Sequence, residues 1–240
     1  MGTAQPEPPL VAADQDVRRR LAVVIDVDDL VVARRLGQTL RPWFGVAKVG
    51  LELFSAAGPD AIETMAELGY EVFADLKLHD IPTTVGKAAK VLGSLGANYM
   101  TMHASGGVDM LRAGMEGLRD GAAGAGLPDP TALAVTVLTS DAGAPAHILS
   151  KRVATAIEAG CGGLVCAVGD VREARLLGPR LTIVTPGIRP AGSPVHDQAR
   201  AATPQEAFDA GADLLVIGRA VTEADDPVVA AADLVESLSL

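Results

Sequence analysis

The chain has 240 residues, 49% of them hydrophobic but only 3% aromatic, so a sizeable core must be assembled from Ala, Val, Leu and Ile. With 26 glycines, this composition favours helices packed closely on strands over a β-sandwich. Twenty Lys and Arg against thirty Asp and Glu give a net charge of −10, which argues against a nucleic-acid partner but still allows a small anion held by a few local cations.

In chain order, residues 1–19 open Pro- and Ala-rich, without a basic flank leading into an apolar run. They are read as a poorly ordered tail and not as a secretion signal, with the folded domain expected over 20–240 and a cytoplasmic location. Apolar runs suited to buried strands follow at Leu21–Ile25 and Val46–Val49, with Trp43 and Phe44 as anchors before the second. A recurring unit then appears: ELGYEVFAD at 67–75, SLGANYMTMH at 94–103, EAGCGGLVCA at 158–167 and DAGADLLVIG at 209–218. Each copy reads as a helix closed by a left-handed glycine, followed by a parallel strand that is apolar throughout because both its faces are covered. Ala132–Val137 and Leu181–Val184 complete eight strands alternating with helical patterns.

Local punctuation supports the alternation. Thr203-Pro204-Gln205-Glu206 has the form of a capping box with Pro at the first helical position. Asp170 and Ser55 are read as helix caps and Gly178 as a stop. The uncharged stretch from Val91 to Val108 is too rich in Gly and polar residues to span a membrane. Cys161 and Cys166 have neither zinc nor disulfide spacing and are read as buried thiols. Eight such units predict a single-domain (β/α)8 barrel of the TIM type. A doubly wound sheet would want a glycine-rich turn after the first strand, where Asp26-Val27-Asp28-Asp29 stands instead.

Barrel active sites gather at the C-terminal ends of the strands. The residues there are Asp26, Lys48, Asp75 with Lys77, His103, Thr139 with Ser140, Arg189, and Gly218 with Arg219. Residues two apart on a strand share a face, so Asp75 and Lys77 are expected to point together into the mouth beside Lys48. A structural ion-pair network would also account for such an array, but the expense of burying charge favours a functional site. Alternating charges favour ammonium over amine, which suits a Lys acid better than a Lys nucleophile. Arg189 and Arg219 follow the seventh and eighth strands, the usual phosphate region of this fold. The long stretch 186–202, which contains Gln198, is read as a lid over a phosphorylated ligand.

Taken in order, VVID, KVGLELF, DLKLHDIPTT, HASGG, AVTVLTS, VTPGIRP and VIGRAVT resemble the orotidine 5′-phosphate decarboxylase family over nearly all of residues 20–236. DLKLHDIPTT, which carries D-x-K-x-x-D, is the most specific of these motifs. The resemblance implies decarboxylation of orotidine 5′-phosphate to uridine 5′-phosphate, the final step of de novo UMP synthesis, without metal or other cofactor. It implies that Lys77 protonates C6 and that Lys48, Asp75 and Asp80 complete a charged tetrad. It implies a homodimer in which Asp80 and Thr84 serve the partner's site. Asp26 would bind the ribose and Thr139 the base, while Arg189, Gln198, Gly218 and Arg219 would hold the phosphate. Residues 1–19 have no counterpart in the family pattern, and 141–150 is short for it.

Two other readings compete. Barrels that use magnesium on keto-sugar phosphates share the D-x-K-x-x-D arrangement, and a catalytically silent phosphonucleotide-binding barrel would keep Gly218 and Arg219. The first would have no evident use for Thr139, Arg189 and Gln198, and the second none for Lys48, Asp75, Lys77 and Asp80 together.

Overall fold

In the computed structural model, residues 12–141, 145, 147–189 and 202–238 are described. The chain opens with α1 (Gln15–Arg19), β1 (Leu21–Ile25), α2 (Leu30–Leu40) and β2 (Val46–Val49). Two helices, α3 (Leu51–Ala57) and α4 (Pro59–Glu67), lead to the long β3 (Glu71–Leu78), α5 (Pro82–Ser94) and β4 (Ala97–His103). Next come α6 (Val108–Gly124), β5 (Thr131–Val135), α7 (His147–Ala159), β6 (Gly163–Val165) and α8 (Val168–Leu177). The chain continues through β7 (Thr182–Thr185), α9 (Pro204–Ala210), β8 (Leu214–Ile217), α10 (Arg219–Thr222) and α11 (Pro227–Glu236). The strands form a closed parallel barrel in sequence order, sealed where Leu21, Ala22 and Val23 of β1 pair with Leu215, Val216 and Ile217 of β8. The predicted (β/α)8 barrel is therefore the observed architecture.

Strand alternation sorts side chains into two cores. Ala22, Val46, Phe73, Leu133, Val184 and Leu214 pack inside the barrel. Their neighbours Leu21, Ala47, Val72, Ala132, Ile183 and Leu215 face the helices. Phe73 and Tyr99 meet edge to face at 6.2 Å, and the Tyr99 hydroxyl donates to Glu71 Oε2 at 3.0 Å. Two residues further along three neighbouring strands the interior column turns polar: Val46 gives way to Lys48, Phe73 to Asp75 and Tyr99 to Thr101. The same period that fills the barrel thus delivers charge to its mouth.

The four glycines of the recurring unit, Gly69, Gly96, Gly160 and Gly211, all adopt positive φ, between 82° and 107°. The capping box forms: Thr203 Oγ1 accepts the Glu206 N–H while Glu206 accepts the Thr203 N–H. Gly178 ends α8 as expected, but the cap at its start is Ala167, with Asp170 inside the first turn. Ser55 is no cap either. It lies within α3, which ends at Gly58, where the chain turns through φ 59° and restarts at Pro59.

Part of the segment read as tail is built into the fold. Asp14 accepts the Val17 N–H to cap α1, and the Gly45 N–H bonds the Arg18 carbonyl at 2.7 Å. Directly after this helix Arg20, the first residue of the expected domain, stacks its guanidinium 3.9 Å from the Phe208 ring centre and donates to the Ala212 carbonyl. A five-residue helix is too short for a periodic apolar signal, and its partners lie far away in sequence. Residues 1–11 lie outside the described residues. No helix among the described residues is long and apolar enough to cross a membrane.

Candidate active site

The charged array begins on β2 and β3. Asp75 lies between two cations: its Oδ1 is 2.9 Å from Lys77 Nζ and its Oδ2 is 3.6 Å from Lys48 Nζ. Lys48 Nζ also reaches Asp26 Oδ1 at 3.4 Å, extending the array to the end of β1. Lys48 is 8% exposed and the Asp75 side chain 13%, so this pair is largely withdrawn from water, whereas Lys77 and Asp26 face the open cavity. Burial pushes the Asp75 pKa up. The ammonium groups of Lys48 and Lys77, with hydrogen bonds from Lys77 and Thr101, outweigh that effect and hold the carboxyl below its ordinary range.

Three features of this array were not anticipated: a bulge in β3 and two contributing residues. The β3–β4 ladder pairs Ala74 with Met100 and next Leu78 with Met102, so four steps on β3 match two on β4. Asp75, Leu76 and Lys77 form the resulting bulge. Lys77 has φ 49°, the one non-glycine residue with positive φ among the described residues. Simple alternation does not describe this segment, although Asp75 and Lys77 still converge. Thr101, fully buried on β4, donates its hydroxyl to Asp75 Oδ1 at 3.0 Å and accepts the Lys77 backbone N–H at 2.9 Å. Gly50, which opens α3, is the second unforeseen contributor. A Cβ there would overlap Asp26 Oδ1 and stand 2.8 Å from Lys48 Nζ.

The cavity above these groups has a volume of about 540 Å³, within the range of small-ligand sites. Asp26, Lys48, Asp75 and Lys77 line it from β1 to β3; Thr139, Arg189, Gly218 and Arg219 line it from the segments after β5, β7 and β8. Arg189 is buried and Arg219 half-buried. Asp80 and Thr84 are exposed and outside this lining. The Asp80 carboxylate accepts the Ile81 N–H at 2.6 Å and joins no ion pair with Lys48 or Lys77 of its own chain. Gln198 and most of the expected lid lie outside the described residues. At the base of that stretch, the Arg189 N–H bonds the Ala202 carbonyl at 2.9 Å.

His79 and His103 stand outside the cavity lining. His103 and His79 pair at 5.6 Å between ring centres. Burial, then the neighbouring His79, Lys77 and Arg152, pulls the His103 pKa down. Cys166 lines the cavity, and burial pushes its thiol up to about 12, so it is a poor nucleophile. Among the described residues no group of three or more His, Cys, Asp or Glu could hold a metal ion.

A closed barrel with an ionic array at the C-terminal ends of its strands and two arginines on the same cavity defines a barrel enzyme acting on an anionic small molecule. The model of the orotidine 5′-phosphate decarboxylase / HUMPS family matches residues 19–234, and the chain belongs to that family. Its relatives make it a carboxy-lyase. The orotidine 5′-phosphate decarboxylase of Moorella thermoacetica is 45% identical over 88% of this chain and 89% of its own. That of Paramagnetospirillum magneticum is 45% identical over 91% and 97%. The crystal structure of orotidine 5′-phosphate decarboxylase from Lactobacillus acidophilus superposes with a TM-score of 0.79 at 34% identity, covering 92% of this chain and all of that one.

Proposed function

We propose that this chain decarboxylates orotidine 5′-phosphate to uridine 5′-phosphate without a cofactor, with Lys77 delivering the proton to C6. The supporting observation is the Asp75 carboxylate held between Lys77 and Lys48 in a cavity that also carries Arg189 and Arg219. Loss of CO₂ from C6 leaves an electron pair in the ring plane, where conjugation with the carbonyls cannot disperse it. A fixed ammonium beside that pair stabilises it and then supplies the proton. At about 4 Å and an effective dielectric near 20, one such charge contributes roughly 4 kcal/mol, or about three orders of magnitude in rate. So unstable a carbanion needs more, and the phosphate, far from the reacting carbon, can supply it through Arg189, Gly218 and Arg219. In this reading Asp26 holds the ribose, Thr139 meets the base and Gln198 joins the phosphate contacts.

Asp80 and Thr84 fit a role across a homodimer interface. Both are exposed on a surface that also presents Ile81, a large apolar side chain 66% exposed. A phosphorylated nucleotide substrate, which does not cross membranes unaided, is consistent with a cytoplasmic location. The magnesium-dependent keto-sugar reading is less favoured because both oxygens of Asp75 already face ammonium groups. The decisive assay follows orotidylate absorbance with purified protein in excess chelator. Turnover is expected. No turnover, or turnover that needs added Mg²⁺, overturns the proposal.

A further inference from the structure

We infer that Thr101 is a positioning residue for the proton-transfer array, a role that rests on the decarboxylase reading above. The bulge in β3 removes the Lys77 N–H from the regular ladder to β4 and leaves it needing an acceptor in a buried setting. Thr101 Oγ1 accepts that N–H at 2.9 Å. With its acceptor side so engaged, the hydroxyl directs its single proton to Asp75 Oδ1 at 3.0 Å. One oxygen atom therefore ties the backbone of the residue with φ 49° to the carboxylate that grips that residue's own ammonium.

The consequence is orientational. Asp75 Oδ1 receives both Thr101 and Lys77, which sets the carboxylate plane so that Oδ2 faces Lys48. Without the hydroxyl, the carboxylate can rotate about its terminal torsion, which has only a broad preference, and the Lys77 N–H is left unsatisfied. Both changes loosen Lys77 where a shift of about 1 Å lowers rate on the order of 100-fold. Thr101 is fully buried beneath the array and does not line the cavity, so it acts through its neighbours and not on the substrate.

The test compares Thr101→Val, which keeps the shape and removes the hydroxyl, with Thr101→Ser, which keeps the hydroxyl. Steady-state kinetics on orotidylate is read beside calorimetric binding of uridine 5′-phosphate. Thr101→Val is expected to lose about 100-fold in kcat with product affinity within a few-fold of wild type. Thr101→Ser should recover most of that loss. If Thr101→Val does not fold, Thr101→Cys, whose thiol is a weak donor and acceptor, gives the same comparison. Unchanged kcat in the hydroxyl-free variant overturns the inference, as does equal loss in Thr101→Ser. Wild-type protein inert toward orotidylate removes the decarboxylase reading and this inference together, a result distinct from an active wild type with an equally active Thr101→Val.

Discussion

Gly50→Ala separates site geometry from fold stability. Gly50 has φ −92°, which alanine adopts without strain, so only contacts decide the outcome. The new methyl would overlap Asp26 Oδ1 and lie 2.8 Å from Lys48 Nζ, whereas ordinary contact begins near about 3.5 Å. Lys48 Nζ must therefore retreat by roughly 0.7 Å and Asp26 Oδ1 by about 1 Å. Both atoms end flexible side chains, and Asp26 is 45% exposed, so the fold yields easily. Losing glycine as the first cap of α3 adds at most about 1 kcal/mol, a fall in Tm of roughly 2–4 °C for a chain of this size. The array, in contrast, loses its 3.4 Å Lys48–Asp26 and 3.6 Å Lys48–Asp75 spacings, and kcat/KM should drop on the order of 100-fold. Gly121→Ala is the opposite control. Its methyl would overlap the Lys90 carbonyl oxygen, forcing apart the backbones of α5 and α6 at a cost of about 1–3 kcal/mol or more while leaving the array intact. Orotidylate kinetics and thermal melts on both variants are the assay. Full kcat/KM in Gly50→Ala, or a Tm loss as large as that of Gly121→Ala, would refute the reasoning.

Lys77→Ala is expected to abolish turnover and still bind uridine 5′-phosphate by calorimetry; near-wild-type turnover would remove Lys77 from its role. Mixing inactive Lys77→Ala and Asp80→Ala chains should restore part of the activity, because one site of a mixed dimer then holds both groups; no recovery speaks against Asp80 serving a partner's site. Arg219→Ala should lose kcat even at saturating substrate, and an effect confined to KM would reduce the phosphate contact to uniform binding. Asp75→Asn should destabilise the protein by about 2 kcal/mol at pH 7, below the 3–5 kcal/mol of a fully buried broken pair because Lys77 is partly solvated. Asp75 has a lowered folded pKa, so its contribution is complete above the ordinary carboxylate value near about 3.9 and is lost as pH falls through the folded one. Melts should show the gap between wild type and variant narrowing on acidification below that value, and a gap that is constant or widens contradicts the ion-pair account.

The barrel and most of the cavity's charged lining were legible from sequence because they rest on short-range rules. A left-handed glycine after each helix, an apolar run covered on both faces and a charge two residues past the last interior apolar position are local signals, and Gly69, Lys48 and Asp75 obey them. Thr101, Gly50, the bulge at Lys77 and the built-in α1 obey no such rule. Thr101 matters because strand pairing brings it against residues 24 and 26 positions earlier, and Gly50 because Asp26 and Lys48 fold back over its α-carbon. Whether Lys77 sits in a regular strand or a bulge depends on how β3 registers against β4, an alignment that exists only once the barrel closes. Side-chain period belongs to the backbone of each strand taken alone, whereas neighbours across strands and the strain they hold in place come from packing the whole ring.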